Sequence, residues 1–270
     1  MKFSDIEIRK NLDLDYKTNP YVVKKYAVNW KASKKWTFNY LKKMKGSNLK
    51  VNTVKGNAAS GKGQIKSIKF KDYINKITSK NTKTYLSTFY LFKYFPKLKE
   101  DLDYSYIKSK SLVCHLLSWI GPKGSITGFH CDWSENINIQ IKGQKNFYIV
   151  SPKFNDKMYI SEKFERISWT SKVDLKKLNK NKFPLFKKAK VIKVKLTDGD
   201  LIYIPRGWWH YVESLSPSIG ISFHFWNWFD FFRDLLYETF LVLLHDIGLY
   251  KKNNCSCHAL DKFGNRLKRG

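Results

Sequence analysis

The sequence predicts a mainly β protein with flanking helices, its core a sandwich or barrel, and three observations carry that expectation. Alternating apolar and aromatic runs dominate from Ser111 to Trp226. They are punctuated at close intervals by the turn signals "GPKG", "IKGQK", "TDGD" and "PRGW", and short strands so spaced point to packed or closed sheets. After Asn227 the pattern changes to "WFDFFRDLLYETFLVLLHDIGLY", apolar on most of a helical surface.

In chain order, residues 1–18 are polar and read as a short lead-in. From Asn19 to about Lys110 the signals are mixed. "PYVVKKY" reads as a strand, "WTFNYLKKM" as a helix, "LKVNTV" as a strand and "FKDYINKI" as a helix, whereas "TYLSTFYLF" fits either. These are α/β elements ahead of a β core at about 111–226, in a domain running 19–226. The helix at 227–250 needs burial against its own domain or a second subunit, which makes it a candidate dimerisation element. Residues 251–270 form a basic, mobile tail.

The chain carries 51 cationic against 22 acidic residues, net +29. That excess suggests a polyanionic partner, but only six of the cations are Arg, the residue that forks onto phosphates. Abundant Lys, Asn and Ile are also what AT-rich coding would produce. Residues 201–250 contain no Lys, so the positive charge lies elsewhere. Four cysteines (Cys114, Cys131, Cys255, Cys257) make no disulfide framework. The start lacks an apolar signal stretch and no run is long enough to span a membrane. An intracellular protein with no membrane partner is expected.

The chemistry begins with "TGFHCDWSE". If "FHCDW" is a strand, His130 and Asp132 share one face and Cys131 takes the other. Alone, such a pair is most often an accident of composition. In "GDLIYIPRGWWHYVES", however, a turn leads into an apolar strand, Pro-Arg-Gly turns the chain, and His210 heads the next strand. Three ligands of type His, Asp, His with open positions left make the facial triad of non-haem Fe(II) oxygenases. Iron is therefore preferred over zinc. After "NINIQI" a "KGQ" turn reverses the chain, and Lys145 begins the return strand beside a metal-bearing one. A cation there could hold the far carboxylate of a dicarboxylic cosubstrate, with Arg206 the alternative.

With "TGFHCD", "IKGQK" and "GDLIYIPRGWWHYVES" in place, the chain resembles the JmjC/cupin-like family of Fe(II)- and 2-oxoglutarate-dependent oxygenases. It is nearest in style to small hydroxylases such as those acting on hypoxia-inducible factor and on tRNA wybutosine. The resemblance implies a double-stranded β-helix (jelly-roll) core. It makes His130, Asp132 and His210 the iron ligands, and Lys145, Thr127 and Tyr85 the holders of the 2-oxoglutarate distal carboxylate. Asn136 would lie close to the cosubstrate, and His224 would stand where the family's hydroxylases carry an asparagine. Fe(II), 2-oxoglutarate and O2 are the implied cofactor and cosubstrates.

A protein or peptide is the expected substrate, and hydroxylation of a side chain the expected reaction. The alternatives are an RNA (tRNA) nucleoside hydroxylase, a JmjC-type lysine demethylase, and a binding module with a vestigial metal site. Other motifs are set aside. "GNAASGKG" (56–63) lacks the Ser/Thr of a phosphate loop, and "CSCH" (255–258) lacks zinc spacing. His115 and His245 read as core or interface histidines. Trp208 and Trp209 could shape a substrate mouth, though core packing serves equally well.

Overall fold

The N-terminal part alternates strands with short helices. Strands β1 (Phe3–Ser4), β2 (Glu7–Arg9) and β3 (Tyr21–Val23) precede helices α1 (Lys31–Lys35) and α2 (Phe38–Lys43). Next come β4 (Lys50–Lys55), β5 (Gln64–Lys69), α3 (Phe70–Thr78), β6 (Thr84–Phe89), α4 (Leu91–Tyr94) and α5 (Ser105–Ser109). The β core follows with β7 (Val113–Gly121), β8 (Ile126–Asp132), β9 (Glu135–Lys142), β10 (Lys145–Val150) and β11 (Ser168–Thr170). It closes with β12 (Val191–Leu196), β13 (Leu201–Ile204), β14 (Trp209–Ser214) and β15 (Ser218–Trp226), and helix α6 (Trp228–Asp246) comes after it. The computed structural model describes residues 3–15, 19–55, 64–79, 82–166, 168–252, 254–255, 258–260 and 266–268. The 56–63 motif lies outside the described residues.

Two sheets result, ordered β1-β12-β10-β14-β8-β11 and β2-β3-β13-β9-β15-β7-β6-β4-β5. Consecutive core strands change sheet at nearly every turn: β8, β10, β12 and β14 fall in the first, β7, β9, β13 and β15 in the second. This is the double-stranded β-helix arrangement of a jelly roll. The "KGQ" turn is one such crossing rather than a hairpin, so Lys145 pairs with Ser214 of β14, the strand that bears His210. Gly143 makes the corner at φ +85°, and a Cβ there would stand 2.2 Å from the Pro217 carbonyl.

Both sheets are covered on their outer faces. Ile137, Ile139, Ile221, Phe223 and Phe225 point outward into a core shared with the N-terminal helices, including Trp36, Phe70 and Tyr73. Phe129, Cys131, Trp209 and Tyr211 point outward from the first sheet against Met158, Phe183 and Phe186 of the 151–190 connection. Between the sheets, Phe147, Ile149, Val194, Leu196, Ile202 and Ile204 fill one part of the interior. The inward residues of β9 and β15 are instead polar or small, namely Asn136, Asn138, Gln140, Gly220, Ser222 and His224. Alternation is regular there, but the polar side faces in, and that inversion leaves room for a site.

Several local expectations change. Residues 1–18 are more than a lead-in, because β1 and β2 add parallel edges to the two sheets and Leu12 and Leu14 are buried. The strand in "PYVVKKY" stops at Val23, since Lys25 has φ 58°. "TYLSTFYLF" is both things in turn, strand β6 and then helix α4. In the tail Cys255 is buried beside Trp133 and Phe164, and 258–260 pairs with 266–268. Cys257 lies outside the described residues. Among the described residues no helix is long and apolar enough to cross a membrane.

Candidate active site

His130 and Asp132 lie on β8, and His210 lies directly opposite His130 on the neighbouring antiparallel strand β14. Register thus joins residues 80 positions apart in sequence. The His130 Nε2 to Asp132 Oδ1 distance is 3.9 Å and the His210 Nε2 to Asp132 Oδ2 distance is 3.5 Å. One ligand atom from each residue lies within 4.8 Å of the other two, close enough to hold a single metal ion. His130 Nδ1 is 2.8 Å from the Gly128 carbonyl and His210 Nδ1 is 3.2 Å from the Trp208 carbonyl. A ring donating Nδ1–H to a carbonyl keeps Nε2 as a lone-pair donor toward a metal. Burial, and then His130 beside it, pushes His210 down to about 3, so that ring is neutral at physiological pH.

Asp132 is 5% exposed. Burial alone would raise its carboxyl, but His224, His210, His130 and the Asn136 amide outweigh that effect and hold it below the usual range. Asn136 donates to Asp132 Oδ2 at 2.7 Å, and Asn138 donates to Asn136 Oδ1 at 2.8 Å. This relay fixes the carboxylate plane, as hydrogen bonds behind metal ligands generally do. His224 is 4% exposed, with Nδ1 3.2 Å from Ser134 Oγ and its buried Nε2 without a hydrogen-bond partner among the described residues.

One cavity of about 620 Å³ is lined by all eight residues singled out from the sequence, the three acid and imidazole groups together with Tyr85, Thr127, Asn136, Lys145 and His224. Lys145 is 4% exposed, its ammonium makes no ion pair among the described residues, and burial lowers it to about 7. Tyr85 is buried and hydrogen-bonds to Thr127. A two-nitrogen, one-carboxylate donor set with open positions suits Fe(II). An unpaired buried cation lining the same cavity as the His-Asp-His cluster suits an anionic cosubstrate. The residues present therefore fit iron and 2-oxoglutarate.

Arg206 is not part of this cavity, since it donates to Glu238 on α6 at 3.0 Å. Trp209 is fully buried in the outer core and Trp208 packs against the inner cluster, so neither shapes the mouth. The mouth carries Tyr90 and Tyr94, 46% and 49% exposed, and Thr88 at φ 53°. A β-branched residue in that backbone region is strained, which is common at functional rims. His115 is exposed and packs edge-on to Trp226, whereas His245 is fully buried. Asn138 was not singled out from the sequence; its signal is the inward parity it shares with Asn136.

Residues 13–231 match the Cupin-like domain family. The chain is 30% identical over 207 residues to Jumonji C domain-containing protein 5 of Drosophila melanogaster, covering 72% of this chain and 51% of that protein. It is 33% identical over 228 residues to JmjC domain-containing protein D of Dictyostelium discoideum, covering 76% and 51%. Against Lysine-specific demethylase 8 of Xenopus tropicalis it is 28% identical over 210 residues, covering 76% and 47%. The chain spans about half the length of these relatives. With the jelly roll, the His-Asp-His cluster and these matches together, the chain belongs to the cupin-like JmjC family of Fe(II)- and 2-oxoglutarate-dependent oxygenases.

Proposed function

We propose that the protein hydroxylates a side chain of a protein substrate, using Fe(II), 2-oxoglutarate and O2. The observation that carries this reading is a His-Asp-His cluster and an unpaired buried ammonium lining one cavity. In it, His130, Asp132 and His210 hold the iron, and Asn136 keeps Asp132 oriented. Lys145, Thr127 and Tyr85 receive the distal carboxylate. His224 stands beside the cluster, its Nδ1 3.7 Å from Asp132 Oδ2. Iron and 2-oxoglutarate held there would supply, with O2, the oxidation of a substrate C–H bond, with succinate and CO2 as coproducts. The covered sheets exclude water from the rest of the site.

A protein substrate is favoured over RNA because Arg is scarce and the mouth offers tyrosines. Two relatives from Xenopus and Danio are named lysine-specific demethylases, which makes demethylation the second reading. The test is turnover of the protein with Fe(II), 2-oxoglutarate and O2 on peptide and tRNA pools, read by mass spectrometry. A peptide gaining one oxygen atom with matching succinate is expected. A peptide losing a methyl group, or an oxygenated nucleoside, overturns the assignment in favour of demethylation or RNA hydroxylation. No product with any pool, from metal-loaded protein, favours a vestigial site.

We propose that the homodimer expected from the sequence forms through the outer side of α6. Its inner side packs Leu241 and Val242 near Trp133 and Phe164, and it is tied down by Arg206–Glu238 and Arg166–Asp246 ion pairs. Trp228, Phe232, Phe240, Leu243 and Ile247 fall on one helical stripe and remain 55–65% exposed. Exposed apolar side chains grouped on one side of a helix are what an interaction surface requires. Light scattering at tens of micromolar should give about twice the 31.9 kDa chain mass, and Phe232→Lys with Phe240→Lys should halve it. A monomer in the unmodified protein rejects the dimer.

A further inference from the structure

We propose that Gly220 sets the chain length of the 2-oxo diacid that the cavity accepts. The proposal rests on the reading of Lys145 as the carboxylate holder. Lys145 springs from β10 in the first sheet and crosses the interior, so that its ammonium ends against β15 in the second. A Cβ built on Gly220 would stand 3.0 Å from Lys145 Nζ, inside the ordinary contact range that begins at about 3.4 Å. The bare backbone at Gly220 is what lets the ammonium sit so far across.

Three further observations make this glycine a device rather than a filler. Gly220, Ser222 and His224 share the inward face of β15, so one strand presents both the floor beneath the cation and the imidazole near Asp132. Four residues separate those ends, on the order of 13 Å at the usual strand rise. The β9–β15 pairing also shifts register between Ile219 and Gly220, and a strand glycine at a bulge commonly marks close approach of another group. Gly121, opposite Ser218 on β7, repeats the arrangement, since a Cβ there would meet the Tyr85 ring at 2.5 Å. The two glycines together leave the floor bare where Lys145 and Tyr85 lie.

A methyl group on Gly220 must displace the ammonium. Gln140 Oε1, 3.5 Å from the same Cβ, occupies the space on that side. The ammonium therefore moves into the cavity, toward the metal end, and the span left for a diacid shortens. Valine at the same position shortens it further.

The test is calorimetric binding of four-, five- and six-carbon 2-oxo diacids (oxaloacetate, 2-oxoglutarate, 2-oxoadipate) to Mn(II)-loaded protein. The unmodified protein should prefer 2-oxoglutarate. In Gly220→Ala the ratio of 2-oxoglutarate to oxaloacetate affinity should fall about twofold to threefold, and it should fall further in Gly220→Val. A glycine needed only for the bulge would weaken all three diacids equally, and that result, or an unchanged ranking, overturns the proposal. Should both variants fail to fold, Lys145→Arg against the unaltered Gly220 decides, because its longer cation meets the same floor. It must also favour the shorter diacid, and any other ranking rejects the idea. If the unmodified protein binds none of the three, the cosubstrate reading falls and not merely the role of Gly220.

Discussion

Asp132→Ala should leave a folded protein that no longer retains Fe(II) or Mn(II), whereas the unmodified chain should bind about one ion per molecule. The carboxylate is the single anionic donor of the cluster, and both imidazoles approach it within 4 Å. Removing it leaves two imidazoles without an anionic donor, which hold a divalent ion far more weakly. The loss should exceed the roughly 10–100-fold seen when only an outer hydrogen-bond partner of a metal ligand is removed. Asn136→Ala provides that smaller effect within the same protein, because it deletes the 2.7 Å bond that orients Asp132 Oδ2. His130→Ala should behave like Asp132→Ala. Metal content measured by mass spectrometry after dialysis gives the answer. Full occupancy in both ligand variants would move the metal elsewhere and dismiss the triad.

Much of this site was legible because its residues obey strand parity. His130 and Asp132 share a face and Cys131 takes the other, so a two-residue spacing within one strand already brings two ligands together. His210 could be joined to them only by residue type, as the third ligand a facial triad needs, since the pairing of β8 with β14 is a long-range register that no local pattern states. The direction of facing was also illegible. In "NINIQI" the alternation is plain, yet the usual expectation sends Asn and Gln to solvent, and here they point inward because helices cover the isoleucine side. The "KGQ" turn is equally ambiguous: Gly143 marks a tight corner, and only the tertiary packing makes it a crossing between sheets. The edge strands β1 and β2 are two and three residues long, too short for any periodicity to emerge. Nothing local marks Gly121 and Gly220 as special, because what they make room for lies elsewhere in the chain.

Lys145→Ala should weaken 2-oxoglutarate binding by about 1.5–3 kcal/mol, the range for a hydrogen bond to a charged group, while metal binding is unchanged. The same ammonium should impose a pH dependence. In the free protein burial lowers it from 10.5 to about 7, so it discharges just above neutrality. Only the charged form attracts a carboxylate. Affinity should therefore be greatest below about pH 7 and decline above it, by up to tenfold per pH unit, and Lys145→Ala should abolish that decline. Stability moves the other way. Between about 7 and 10.5 the unfolded chain holds a proton that the folded chain has released, so folding strengthens as pH rises through that window. Below about 7 both states are protonated and the full cost of burying the charge is present. Lys145→Met, similar in length and uncharged, should therefore raise the melting temperature of the cosubstrate-free protein most at pH 6–7, with the gain shrinking as pH approaches 10. A cation kept at the expense of the fold is what a ligand-holding lysine requires. Two results would contradict this role: 2-oxoglutarate affinity that is flat from about pH 6 to 8.5, or a methionine variant less stable than the parent at neutral pH.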